Sequence, residues 1–428
     1  MTTQDFFITP IWFFFLLFGA YVIRPYVTNV HTRPYFIPGL LAKFVGAIAI
    51  GMVYQFYYAW GDTYTYFREA TIIWKIFLNQ PIDALRLIFQ YSENVQDLFY
   101  HTYRIWTFRS PNNFAMVRIL SFVNLFTLNT YSATSLLFAA FSFSGSWAFY
   151  SVLSIKYNHA NKWLAISILF IPSVIIWGSG IFKDTLTFGA LMWLTWSAFK
   201  YAEFNKMNFS TLSMGTISIL IIGSIKVYIL ICYLPLVIFW IVSKKITNIK
   251  NQALRYITFP VFITLGLIVA LLSAQQASSV DEKYALENIA STAQITAYDI
   301  AYYSGKGGST YTLGELDGSW GSMIVLAPQA INVSIFRPYL WEVSNPFMLL
   351  SALESLALFL LTIGAIFFKP KKMRKVLTDP FFLLCLSFSI LFAFAVGIST
   401  YNFGTLVRYK IPLMPFYAVI LTLIFNKE

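Results

Sequence analysis

PFFLLCLSFSILFAFAVGI, residues 380–398, is an apolar stretch without a single charged side chain. A helix that crosses the hydrocarbon core of a bilayer needs about 20 mostly apolar residues, and this stretch has that length and composition. Comparable stretches recur along the chain, so we predict an all-α, polytopic transmembrane bundle with roughly eleven crossings. The predicted spans are 6–23, 36–59, 131–153, 163–177, 185–200, 257–273, 345–368, 380–398 and 411–425, with 211–242 divided into two short spans at Gly223, Ser224 and Lys226.

The composition excludes a soluble protein. Of the 428 residues, 58% are hydrophobic and 11% are charged, whereas soluble domains carry about 25% charged residues. The formal net charge of +12 is explained by Lys and Arg in cytoplasmic loops, and no nucleic-acid-binding module is recognisable. The two cysteines and three histidines are too widely spaced for a disulfide framework or a metal cluster. We therefore expect membrane lipids, and no nucleic acid, as partners.

The basic segments 369–375 and 244–255 predict the orientation, because short cytoplasmic loops collect Lys and Arg. Arg24, Arg33 and Lys43 place the first loop on the same side. The N-terminus is then outside and the C-terminus cytoplasmic. Two long loops of this single integral membrane domain, 1–428, lie outside: 60–130 and 274–344.

Residues 114–128 form a short apolar segment that contains Arg118 and Asn124. A crossing here would put the basic segment 244–255 outside, so we predict a helix at the outer interface instead. Apolar residues at helical spacing elsewhere in 60–130 likewise predict amphipathic juxtamembrane helices.

Asp62 is the first candidate for chemistry, in the sequence Gly61-Asp62-Thr63-Tyr64 directly after a predicted span. Aromatic residues surround it. A partly desolvated carboxylate at a helix end can act as a general base. Alternatively, Asp62 is an ordinary solvated residue at a helix terminus.

The hairpin 178–184, GSGIFKD, is predicted on the same outer face and ends in Lys183 and Asp184. The second carboxylate could orient an acceptor or bind a cation, or it could simply cap the following helix. Lys226, at the predicted break between two short spans, belongs to the same outer side.

The segment 401–412, YNFGTLVRYKIP, carries Arg408 and Lys410 on the predicted outer side, against the usual charge distribution. A guanidinium and an ammonium there can bind phosphate oxygens, or they can snorkel to lipid headgroups. Glu354 lies inside a predicted span, which makes it a functional candidate or a structural ion-pair partner. Weaker candidates in the outer loops are His101, Arg104, Arg109, Arg337 and Glu342.

Together these motifs resemble the C-type (GT-C) superfamily of integral membrane glycosyltransferases. Asp62 matches the acidic residue that follows an early span in that family. The region 117–184 resembles its pattern of an Arg, a long apolar run, Pro172 and a polar outer turn with an acid, here Asp184. The segment 408–412 resembles the basic entry to a late helix. The chain departs from the family in having the predicted span 6–23 before the Asp62 segment.

The resemblance implies transfer of a sugar from a polyprenyl-phosphate-linked donor to a glycan, lipid or protein acceptor outside the cytoplasm, in a bacterial inner membrane. It allows a divalent cation without requiring one, since metal dependence varies across the superfamily. The alternatives are a glycan-repeat polymerase or ligase, a lipid-linked substrate transporter or flippase, and a non-enzymatic scaffold. The predicted site consists of the catalytic residues Asp62 and Asp184 and the substrate-binding residues Lys183, Lys226, Arg408, Lys410, His101, Arg104, Arg337 and Glu354.

Overall fold

The all-helical fold class is confirmed. The structure is a computed structural model that describes residues 3–59, 61–90, 95, 97–247, 288–303, 309–376 and 379–426. Helices make up 86% of it, with no strand in the described part of the chain. The predicted span 257–273, most of the segment 244–255 and residues 304–308 of the second long loop lie outside the described residues.

Twelve helices precede the first long gap in the described residues. They are α1 (Thr3–Val27), α2 (Arg33–Met52), α3 (Asp62–Asn79), α4 (Pro81–Phe89), α5 (Phe99–Thr102), α6 (Pro111–Thr127), α7 (Tyr131–Lys156), α8 (Asn161–Leu169), α9 (Pro172–Trp177), α10 (Lys183–Phe204), α11 (Phe209–Ile225) and α12 (Val227–Thr247).

Seven helices follow that gap. They are α13 (Ile289–Tyr303), α14 (Trp320–Phe336), α15 (Pro346–Phe368), α16 (Pro370–Val376), α17 (Pro380–Thr400), α18 (Phe403–Tyr409) and α19 (Met414–Asn426).

Six described helical segments are long and apolar enough to span a membrane, and α18 with α19 makes a seventh if that pair, bent by 42°, counts as one span. The count of roughly eleven is therefore not confirmed. One reason is that the predicted span 163–177 is divided between α8 and α9. The other is that α10 and α11 are not among the candidate spans: α11 has only 17 residues, and α10 is long but less apolar. The predicted break at Lys226 is confirmed between α11 and α12.

The chain folds into two compact units. Unit 1 comprises Met1–Ser151, Val174–Trp193 and Thr216–Lys226, and unit 2 comprises Val152–Ser173, Leu194–Gly215 and Val227–Glu428.

Unit 1 contains α1 and α2 together with the helices of the first long loop. Pro81 and Pro111 start α4 and α6, where a missing N–H costs nothing. Those helices pack with α3 around fully buried Ala70, Leu87 and Val117. Residues 114–127 of the predicted segment 114–128 lie in α6, which at 17 residues is not among the candidate spans. Its position along a membrane surface stays a prediction.

Unit 2 is organised around α17, which packs against α12, α13, α14 and α19. The contact with α14 is close: a Cβ on Gly397 would lie 2.1 Å from the Ala330 carbonyl oxygen. Only glycine permits this approach, because real Cβ atoms do not come so near to backbone oxygen.

A charged cluster joins several helix ends in unit 2. Lys156 Nζ lies 3.0 Å from Glu203 and 3.6 Å from Asp379, and Lys244 Nζ lies 2.9 Å from Glu203. Asp379 also caps the N-terminus of α17 by accepting the Phe381 N–H. Lys244, which was assigned to a cytoplasmic loop, thus lies in the last turn of α12 and is paired with Glu203. Its side of the membrane stays a prediction.

Candidate functional site

Asp62 begins α3 directly after the candidate span Arg33–Tyr57. The chain turns at Gly61, whose φ of 149° lies in a region that disfavours side chains, and a Cβ there would lie 2.3 Å from the ring of Tyr54. Asp62 is exposed and lies in the first turn, where the helix dipole favours a negative charge. Asp62 does follow a candidate span, as predicted, but it begins the next helix and is exposed, so the predicted partial desolvation is not seen. Its catalytic role stays a prediction.

The first turn of α3 is fixed to the first turn of α7. Thr63 and Tyr131 share a hydrogen bond of 2.7 Å between their hydroxyls. The rings of Tyr64 and Tyr131 stack, with centroids 4.4 Å apart. Asp5 of α1 accepts the Ser132 N–H at 2.9 Å. The N-terminal ends of α1, α3 and α7 thus meet at one end of unit 1.

Lys183 is joined to α3 through α6. Its Nζ donates to Asn113 Oδ1, which also accepts the Tyr66 hydroxyl at 3.2 Å. Tyr66 is one helical turn from Asp62. Lys183 therefore belongs to the same polar region of unit 1 as the predicted base.

Asp184 forms a buried ion pair with Lys226, whose Nζ lies 2.6 Å from Asp184 Oδ1. Asp184 is in the first turn of α10, and Lys226 occupies the break between α11 and α12. The structure brings together two residues that were proposed separately. The catalytic role of Asp184 stays a prediction.

Lys43 lies within α2 and not in a loop, so its use as a loop charge for orientation was wrong. It is fully buried, and its Nζ donates to Ser142 Oγ at 3.0 Å, to the Val174 carbonyl at 2.9 Å and to the Gly178 carbonyl at 2.8 Å. All three ammonium hydrogens have acceptors. Lys43 thereby holds the turn after α9 that leads to Lys183 and Asp184.

Glu69 is a buried carboxylate that the sequence analysis missed. It accepts hydrogen bonds from both the backbone N–H and the hydroxyl of Thr107. Burial raises the pKa of the Glu69 carboxyl, although the Thr107 hydrogen bonds oppose that rise. Glu69 shares a buried stripe with Tyr66, Ala70 and Ile73, and this helical spacing is the signal that could have identified it.

His101 and Arg104 lie elsewhere in unit 1. His101 Nε2 is 2.8 Å from Gln80 Oε1 and 3.9 Å from Asp83. Arg104 is exposed and bonds the hydroxyl of its neighbour Tyr103. These contacts give both residues structural roles on the first long loop, and their substrate-binding role stays a prediction.

Four predicted substrate-binding residues lie in unit 2. Arg337 is paired with Glu342 and stacks over Phe403, 5.3 Å from its centroid. Arg408 is partly exposed in α18. Lys410 is fully buried and donates to Ser355 Oγ at 3.3 Å, and Glu354 accepts the Ser173 N–H at 2.8 Å. The predicted site residues therefore divide between the two units.

Within the described residues, no three His, Cys, Asp or Glu side chains lie together in a way that could hold a metal ion. Comparisons with protein families, with characterised proteins and with solved structures found no match. The fold defines a helical membrane protein, and its function must be argued from the chemistry of its own residues.

Proposed function

We propose that this chain is a membrane glycosyltransferase that moves a sugar from a polyprenyl-phosphate-linked donor to an acceptor hydroxyl outside the cytoplasm. The observation that carries the proposal is the exposed Asp62 carboxylate at the head of α3, in the same unit as the Lys183–Asn113 bond and the Asp184–Lys226 pair. Tyr57 and Tyr58, which shortly precede Asp62 in the chain, are exposed, and exposed aromatic rings are surfaces on which sugar rings can stack.

Asp62 acts as the general base. It takes the proton of the acceptor hydroxyl while that oxygen attacks the anomeric carbon of the donor sugar. A new glycosidic C–O bond forms, the bond between the anomeric carbon and the phosphate oxygen breaks, and the electron pair leaves with the polyprenyl phosphate. Exposure suits Asp62 to this role, because the acceptor must reach the carboxylate.

The leaving phosphate needs a cation. Lys183 serves in unit 1, where Asn113 fixes its side chain beside Tyr66. Arg408 in unit 2 is a separate candidate for binding phosphate oxygens, because it is partly exposed. Lys226 and Lys410 contribute less directly, since Lys226 is paired with Asp184 and Lys410 is fully buried.

Charge within unit 1 supports an extracytoplasmic site. Asp5 lies at the end of α1 that meets α7, near Thr63 and Tyr131. Arg24 lies near the opposite end of α1 and donates to the Arg33 carbonyl at 3.0 Å. The positive-inside rule favours the arginine end as cytoplasmic, which puts Asp62 on the other side.

A transporter or flippase is the second candidate. It is favoured by Glu354, which lies in the candidate span Pro346–Phe368 and interacts electrostatically with buried Lys410. Ionisable groups within spans mark the pathways of transported solutes.

The test is transfer by the purified full chain in nanodiscs, supplied with a panel of polyprenyl-phosphate sugars and acceptors, with released polyprenyl phosphate as the readout. We expect release by wild type and a loss of at least about 100-fold in Asp62→Asn, the usual scale for a general base. The matched control is Asp83→Asn, since Asp83 lies on α4 of the same loop. Donor flipping across the bilayer without sugar release would favour the transporter, and normal rates in Asp62→Asn would reject Asp62 as the base.

A further inference from the structure

A group of polar side chains surrounds one face of α15 in unit 2. Ser351, Glu354 and Ser355 come from α15, Ser173 from the start of α9, and Lys410 from the end of α18. Ser173, Ser351, Ser355 and Lys410 are buried, with 0% exposure for Ser355 and Lys410. We call these five residues the α15 polar cluster.

Two of its hydrogen bonds tie the cluster to the backbone. Glu354 Oε2 accepts the Ser173 N–H at 2.8 Å, and the Ser355 hydroxyl donates to the Arg337 carbonyl at 3.0 Å. Lys410 Nζ then donates to Ser355 Oγ at 3.3 Å. These bonds use only part of the donors and acceptors present.

Several atoms of the cluster are left without partners. In the described part of the chain, Ser351 Oγ and Glu354 Oε1 are shielded from solvent and have no hydrogen-bond partner. The Lys410 ammonium has three N–H groups, and Ser355 accepts from one of them. Buried polar atoms of this kind are normally satisfied by protein or by ordered water.

The chemistry of the cluster selects its occupant. Glu354 and Lys410 attract each other electrostatically, yet no ion-pair contact joins them among the described residues. The ammonium disfavours a bound cation, and the carboxylate disfavours a bound anion. A neutral group that both donates and accepts hydrogen bonds satisfies the two ions at once, and a hydroxyl group has that property.

We propose that the α15 polar cluster is an internal water site, in which ordered water bridges Lys410 Nζ and Glu354 Oε1 and bonds the Ser351 hydroxyl. Buried waters make about three hydrogen bonds each in sites of this polarity. The hydrated pair ties Lys410, at the break between α18 and α19, to α15. The site does not depend on the glycosyltransferase proposal, because every contact that defines it is internal to unit 2.

High-resolution cryo-electron microscopy of the full chain in nanodiscs tests the site, without added substrate. We expect isolated spherical density within hydrogen-bonding distance of both Lys410 Nζ and Glu354 Oε1. In Ser351→Val, which removes one hydroxyl and fills its space, at least one of these densities should disappear. The matched control is Ser389→Val on α17, because Ser389 is also buried and its hydroxyl donates to the Cys385 carbonyl of its own helix.

Two results would overturn the proposal. One is a direct Glu354–Lys410 ion pair with no density between the side chains, which would make the cluster a dry salt bridge. The other is extended density that follows a bound molecule, which would replace water by a ligand hydroxyl. Loss of density in both Ser351→Val and Ser389→Val would also count against it, since the effect would not be local.

Discussion

Lys226 Nζ lies 2.6 Å from Asp184 Oδ1, and both side chains are almost completely shielded, with exposures of 9% and 2%. The pair joins the start of α10 to the break between α11 and α12. Removing one member of such a pair leaves the other charge buried without compensation.

We therefore expect Lys226→Met to lower the free energy of unfolding by about 3–5 kcal/mol. The double variant Lys226→Met with Asp184→Leu should recover part of that loss, because no isolated charge remains. Thermal unfolding of detergent-solubilised protein measures both. Lys75→Met is the control, since Lys75 is exposed. If Lys226→Met were as stable as Lys75→Met, a stabilising role for the Lys226–Asp184 pair would be contradicted.

The turn held by Lys43 predicts a second effect on stability. A Cβ on Gly178 would lie 2.5 Å from the Val174 carbonyl oxygen and 3.1 Å from Lys43 Nζ. We expect Gly178→Ala to destabilise the protein by about 1–3 kcal/mol, the usual cost of overpacking. Gly19→Ala has open space around its Cβ and should unfold at the wild-type temperature. A Gly178→Ala protein as stable as Gly19→Ala would mean that the turn is looser than described.

Glu69 predicts a pH dependence. Burial raises the pKa of its carboxyl above the model-peptide value of 4.5, so the folded chain holds this proton more tightly than the unfolded chain. The contribution of Glu69 to stability is then fully present below pH 4.5 and falls as the pH rises from there to the raised pKa. Glu69→Gln keeps the shape of the side chain and an oxygen that accepts from Thr107, but it does not titrate. This variant should therefore not lose stability over that pH range.

Melting temperatures of wild type and Glu69→Gln across this range measure the difference. Asp97→Asn is a useful comparison of opposite sign, since the Arg86 hydrogen bond lowers the pKa of the exposed Asp97 carboxyl. Parallel curves for wild type and Glu69→Gln would show that Glu69 does not titrate in this window.

Exchange of arginine and lysine should have different effects at positions 408 and 410. Under the proposed function, Arg408→Lys loses the two-pronged contact with phosphate and should weaken binding of a polyprenyl-phosphate analogue about tenfold or more, while the protein still folds. Lys410→Arg enlarges a fully buried side chain and should lower stability by about 1–3 kcal/mol.

Binding in nanodiscs and thermal unfolding separate the two outcomes. Lys162→Arg is the control, because Lys162 is exposed and should tolerate the exchange. Unchanged affinity in Arg408→Lys would assign Arg408 to lipid headgroups instead of the donor.

The sequence was sufficient to predict the position of a helix where one physical signal dominated. Apolar length predicted helices such as α1, α7 and α17, and the interruption at Lys226 predicted where α11 ends. It failed where apolar length was misleading, as in 163–177, where the chain forms the two short helices α8 and α9 and Pro172 begins the second. The roles of charged residues depend on partners distant in sequence. The Lys226–Asp184 pair spans 42 residues. Hydropathy placed Lys43 inside the predicted span 36–59, but its hydrogen-bond acceptors lie in distant parts of the chain and could not be predicted from local sequence.

Lys43 also has a consequence for the synthesis of the protein. Its three acceptors lie 99, 131 and 135 residues further along the chain. At about 5–20 residues per second, α2 waits roughly 5–30 seconds before those acceptors exist. A lysine at a helix centre opposes membrane insertion by about 2.5–3.5 kcal/mol. We therefore expect α2 to insert into the bilayer less readily than a fully apolar helix. We therefore expect α2 to reach its final packed position late in synthesis, once α7 and the residues after α9 have left the ribosome.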